Sequence, residues 1–135
     1  MNLLDDIPIL VDAPEIAPRV VGNALPILHE IQHALQRLLD SGETTVIDLR
    51  AIPFGPGDEE RLLAILGVGE IEATLNALGE TNVSETGYPG VWLLDHRNQD
   101  NERIALQVEI TLIPEILCSR REDVCDSLER LADDL

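Results

Sequence analysis

Residues 103–113, RIALQVEITLI, constrain this chain more than any others. Ile104, Leu106, Val108, Ile110 and Leu112 fall on one face of an extended strand, and Arg103, Gln107, Glu109 and Thr111 on the other. A strand with one apolar and one polar face belongs to an antiparallel sheet covered by helices on a single side. The rest of the chain supplies matching pieces. Residues 44–51, TTVIDLRA, are β-branched and read as a strand. Glu70 to Leu78 alternate, with Ile71, Ala73, Leu75 and Ala77 on one face. Thr81 to Thr86 form a more polar strand, expected near an edge. Residues 91–96, VWLLDH, form another, joined by the four polar residues 98–101 to the strand at 103–113 as a hairpin.

Helical spacing appears in three places. Asn23 caps a helix to about Asp40, with Pro26 in its first turn and Ile27, Leu28, Ile31, Leu35, Leu38 and Leu39 as its stripe; Ser41-Gly42 ends it. Asp58 caps a short helix with Leu62, Leu63 and Leu66 inward, and Gly67 stops it, with Val68 packing back on Leu63. Ser119-Arg120-Arg121-Glu122 reads as a capping box ahead of a stripe of Val124, Cys125, Leu128, Leu131 and Leu135, with Cys125 a buried small hydrophobe. Asp133 and Asp134 close that helix against the sign of its dipole. The expected fold is α+β: a two-layer, mostly antiparallel sheet of about five strands with helices packed on one face. Residues 1–22, with Pro8, Pro14 and Pro18, are set apart as a proline-rich N-terminal arm, and residues 23–135 as a single domain.

Charge removes several classes of function. The net charge is −17, from 26 acids against nine arginines and no lysine. A nucleic-acid surface needs cations to neutralise phosphates, so nucleic acid is excluded. No apolar run reaches the length of a membrane span, and the first residues are acidic where a signal peptide is basic. The expected location is cytoplasmic. An anionic surface favours a basic or neutral protein partner, and equally serves solubility.

Catalytic and metal chemistry find little support. If Cys118 and Cys125 share one helix, their seven positions separate them by about 10 Å along its axis, beyond disulfide reach, so no internal bridge is expected. His29 and His33 have an i, i+4 spacing but lack the HExxH pattern, and with two thiols they fall short of a metal site; no cofactor is expected. His96 beside Asp95 is the best lone acid–base candidate, though a surface histidine is the plainer reading. The chain reads as a binding protein and not an enzyme.

The candidate contact lies in residues 85–92, Glu85-Thr86-Gly87-Tyr88-Pro89-Gly90-Val91-Trp92, which hold two of the three aromatic residues; Phe54 is the third. A Pro-Gly turn between two large rings makes Tyr88 and Trp92 candidate anchors, with Glu85, Thr86, Pro89, Gly90 and Val91 around them. The alternative is that Trp92 plugs the core and Tyr88 covers it. Gly67, Gly69 and Glu70 form a structural turn; they follow a helix and carry an acid, so they are no phosphate loop.

Leu66-Gly67-Val68-Gly69-Glu70-Ile71, followed in order by Glu85-Thr86 and Gly90-Val91-Trp92, resembles the C-terminal conserved region of the HupH-type hydrogenase expression/formation proteins. The likeness runs from about Ile31 to Leu131 and covers one module of proteins about twice this length. It implies an accessory, chaperone-like protein of nickel–iron hydrogenase maturation. The implied partners are the iron–sulfur-bearing small subunit or other maturation proteins. The alternative in the same pathway is metal or iron–sulfur handling. An exposed strand edge also allows a homodimer.

Overall fold

The structure, a computed structural model, describes residues 24–135. The proline-rich arm and the Asn23 cap lie outside the described residues. The elements are α1 (Ala24–Ser41), β1 (Thr45–Asp48), α2 (Asp58–Leu66), β2 (Glu72–Asn76), β3 (Glu80–Glu85), β4 (Val91–Arg97), β5 (Arg103–Ile110) and α3 (Arg121–Asp134). Short 3-10 turns follow β1 at Leu49–Ala51 and precede α3 at Glu115–Leu117. The five strands form one antiparallel sheet ordered β1-β5-β4-β3-β2. The α+β architecture is the one the periodicities predict.

The main core lies where α1 and α2 cover one face. Ala24, Ile27, Ile31 and Ala34 of α1 meet Leu62 and Leu66 of α2 above Val91, Leu106, Val108 and Ile110 of the sheet. Alternation sends the neighbours of Val91 and Leu93 to the other face, where Trp92, Leu94 and Val83 form a second, smaller cluster. Leu75 and Leu117 cover that cluster.

Several local expectations are corrected. β3 lies near an edge as expected but is not itself the edge: it pairs with β4 on one side and with the edge strand β2 on the other. Its polarity is absorbed by cross-strand bonds: Asn82 donates to Glu72 at 3.0 Å, and the Thr81 hydroxyl meets His96 Nδ1 at 3.0 Å. Asp58 is the first residue of α2 and not its cap; its carboxylate reaches back to accept from Gly55 N–H at 2.7 Å. Val68 is 89% exposed and does not fold back on Leu63. The capping box does not form, because α3 starts one residue later, at Arg121, and Arg120 at its cap makes no side-chain bond.

The largest departure is α3. It buries no residue, and both Cys118 and Cys125 are exposed free thiols. Helices α1 and α2 pack on the sheet as expected, but α3 does not join them.

Candidate functional site: the junction of two loops and its groove

The stretches at 66–71 and 85–92 meet in space. Gly67, at φ 71°, ends α2 with its N–H on Leu63 O. The chain then runs against the end of β3: Gly69 N–H donates to Glu85 O at 2.8 Å, and Glu85 N–H to Ile71 O at 2.9 Å. From the other side, Gly87 N–H donates to Leu66 O at 2.8 Å. Three backbone bonds thus clamp two loops. The approach is so close that a Cβ on Gly69 would lie 2.3 Å from Thr86 O. Gly69 is therefore the glycine of contact, and Gly67 the helix stop.

Residues 85–92 form a locked turn. Buried Thr86 donates its N–H to Val91 O at 3.0 Å, and its hydroxyl accepts from Tyr88 N–H at 3.1 Å. Val91 N–H returns to Tyr88 O at 2.9 Å, and Gly90 O accepts from Thr111 N–H at 2.9 Å. Tyr88 is 50% exposed at the tip, next to exposed Pro89. Trp92 is only 4% exposed, and its indole N–H donates to Thr111 O at 3.2 Å. The turn therefore displays one ring. Strand alternation turns Trp92 onto the second face, where it is the largest side chain of the small cluster, as the core-plug reading has it. Thr86 and Val91 are buried too, so of the predicted contact residues Tyr88 and Pro89 are those left at the surface, with Glu85 and Gly90 half-buried.

Tyr88 forms one wall of an apolar groove of about 340 Å³. Leu28 and Leu35 of α1 and Ile65 of α2 line it above Ile31, Leu66 and Val91, with Gln32 its polar lining residue. On the other side of the same turn a cleft of about 400 Å³ is bordered by Val68, Pro89 and two carboxylates, Glu70 and Glu85. A rigid loop thus separates an apolar slot from an acidic one. Sequence reasoning misses the groove because three distant segments build it. A signal exists: Leu28 and Leu35 are surplus to a helix face already filled by Ala24, Ile27, Ile31 and Ala34.

The other candidates do not converge. His29 and His33 are exposed on α1, and among the described residues no group of three or more His, Cys, Asp or Glu is placed to hold a metal ion. Asp95 and His96 point to opposite faces of β4. Asp95 bonds Arg103 and Arg97, each at 3.2 Å, and Arg103 reaches Glu59 of α2 at 3.7 Å. Burial disfavours the Asp95 anion, but the two guanidiniums outweigh it and hold the carboxyl below its ordinary range. That contribution to stability is present at neutral pH and is lost as pH falls through the lowered value.

Glu109 pairs across from Trp92 on the second face, and burial first, then the Glu115 carboxylate, pushes it above its ordinary 4.5, against a bond from Glu115 N–H and the charge of His96. Between the ordinary and raised values the native state keeps a proton that the unfolded chain has lost, so stability falls as pH rises through that window. Glu109→Gln is accordingly expected to raise stability at pH 7 by under about 1 kcal/mol, because solvent screens a half-buried charge, and Tm should rise with it. It should leave Tm unchanged well below pH 4.5. Thermal melts at the two pH values check this; a lower Tm at pH 7 contradicts it.

Comparison with known proteins places this arrangement. Residues 21–135 match the family described as HupH hydrogenase expression protein, C-terminal conserved region. Hydrogenase expression/formation protein HoxQ of Azotobacter vinelandii is 32% identical over 111 residues, covering 81% of this chain and 39% of that protein. Hydrogenase expression/formation protein HupH of Rhizobium leguminosarum bv. viciae is 32% identical over 117 residues, covering 87% and 42%. The chain spans about two-fifths of the length of these relatives. A solved structure, hydrogenase expression protein HupH from Thiobacillus denitrificans ATCC 25259, superposes with a TM-score of 0.79 at 43% identity, covering 85% of this chain and 98% of that one. No helix among the described residues is long and apolar enough to cross a membrane.

Proposed function

The chain belongs to the HupH hydrogenase expression protein family, and from that premise we propose that it is a non-catalytic accessory protein of nickel–iron hydrogenase maturation. It acts in the cytoplasm as a chaperone-like docking module for the hydrogenase small subunit or another maturation protein. The observation that carries this reading is the turn at 85–92, which sets an apolar groove and an acidic cleft side by side. An apolar client side chain enters the groove against Tyr88, and a neighbouring cationic one meets Glu70 and Glu85. The remaining negative charge of the body steers such a client and raises its on-rate. Affinity comes chiefly from the apolar slot, since exposed ion pairs contribute little.

Capture of the purified small subunit, or of a purified maturation protein, on the immobilised chain tests the proposal. Tyr88→Ala removes a half-exposed ring without opening the core, so Tm should hold while affinity falls about 10- to 100-fold, the range of an aromatic hot spot. Capture should also weaken as salt is raised. Wild-type protein that retains neither client, or a Tyr88→Ala variant that retains it equally well, refutes the docking role of this turn.

A further inference from the structure

Helix α3 presents Val124, Leu128 and Leu131 to solvent, with Leu135 at its C-cap, at 54%, 72%, 61% and 98% exposure. Their 4-3-4 spacing is a heptad seam. The surface of α1 carries its counterpart: Leu25, Leu28, Gln32, Leu35 and Leu39 are spaced 3-4-3-4, and the middle three line the Tyr88 groove. The α3 seam is about 17 Å long and the α1 seam about 21 Å, so one covers the other. We propose that α3 of a second copy of this chain lies along the α1 seam and in the Tyr88 groove, and that the exchange is reciprocal, giving a closed dimer with both grooves covered.

Helix α3 does not fill the groove of its own chain. Leu117 is anchored in the Trp92 cluster, on the sheet face opposite α1 and α2. Only Cys118, Ser119 and Arg120 link it to α3, a reach of about 10 Å when extended. The groove lies on the other face of the sheet, floored by Val91, and no residue of α3 lines it. A second copy has no such tether.

Charge selects the groove over pairing of α3 with α3. Helix α3 carries six acids and two arginines, so two copies side by side would repel, whereas α1 carries only Glu30 and Asp40 with Arg37, His29 and His33. Charge also sets the direction. In an antiparallel arrangement Asp133 and Asp134, at the unfavourable end of their own helix, approach the first turn of α1, which has no acid. Arg120 and Arg121 then approach the other end of α1, at Asp40. The two terminal acids that the α3 dipole disfavours thus gain a partner.

The proposal rests on the groove being a docking surface and needs no client. Light scattering on the full chain at micromolar concentration should give twice the 14.9 kDa monomer mass. Leu128→Glu with Leu131→Glu should give monomers, as should Leu25→Glu with Gln32→Glu on the opposing seam. All four positions are exposed, so circular dichroism and Trp92 emission should match wild type in each variant. A monomeric wild type, or a dimer that survives either double substitution with the fold intact, overturns the proposal. A dimer that dissolves in the first pair but not the second means that α3 pairs elsewhere. Client capture by a monomeric wild type would sink this inference alone; because α3 covers the groove in the dimer, a monomeric Leu128→Glu with Leu131→Glu variant that captures no client would sink the docking role alone.

Discussion

Trp92→Ala is expected to cost about 3–5 kcal/mol, enough to unfold much of a domain whose whole stability is on the order of 5–15 kcal/mol. Trp92 sits on the central strand, is 4% exposed, and fills the cluster formed with Val83 and Leu94. Truncation leaves a cavity that Leu75 and Leu117, already in place at its margin, cannot fill. It also strips Thr111 O of its indole donor, and Thr111 is the residue whose N–H holds Gly90 O. Damage therefore spreads from the second face to the Tyr88 turn. Urea melts followed by circular dichroism measure the loss. Trp92→Phe keeps most of the ring and loses the N–H, so it should fall between wild type and Trp92→Ala. A Trp92→Ala protein within about 1 kcal/mol of wild type would mean that the ring is not a core element. Lost client capture in this variant reports on folding, which leaves Tyr88→Ala as the probe of docking.

Gly69→Ala is expected to cost about 3 kcal/mol, the upper end of the range for overpacking. The new Cβ would stand 2.3 Å from Thr86 O and 2.9 Å from Glu85 O. Both are backbone atoms, so no side chain can swing aside. Either the bond from Gly69 N–H to Glu85 O breaks or the turn at 85–92 moves. The backbone of Gly69 is not among the positive-φ positions, so the cost is contact and not torsional strain. Hydrogen exchange separates the two: the amides of Gly69, Glu85 and Gly87 should lose protection together while those of β4 and β5 keep theirs. Retained protection at Gly69 and Gly87 in a variant of wild-type stability would refute the tight junction. A displaced turn also carries Tyr88 away from Leu28 and Leu35, so client affinity should fall with the junction.

Much of this fold is legible in local periodicity. The alternation at residues 103–113, the polar turn at 98–101 and the stripe of α1 each depend on side chains a few positions apart, and all three elements form, although β5 stops at Ile110 and leaves Leu112, like Ile104, exposed. The misread features are those where local pattern is silent. In β4, Val91, Trp92, Leu93 and Leu94 are all apolar, so alternation does not say which face is the larger core or whether the ring is shown or enclosed. β3 is polar yet paired on both sides, because Thr81 and Asn82 find partners on the flanking strands. An apolar stripe such as that of α3 specifies a buried face only if something covers it, and within the described residues nothing does.

By itself the sequence determined the α+β class, most strand and helix positions, and the family through two short glycine-bearing motifs. Each of these resides in spacing, composition or residue identity, which survive in an unfolded chain. Only the tertiary structure decided that the two motifs clamp each other, that Gly69 is needed for contact, that Trp92 is enclosed while Tyr88 rims a groove, and that nothing among the described residues covers α3. Those depend on which distant segments approach within bonding distance, and that is set by closure of the sheet and the packing of α1 and α2 upon it.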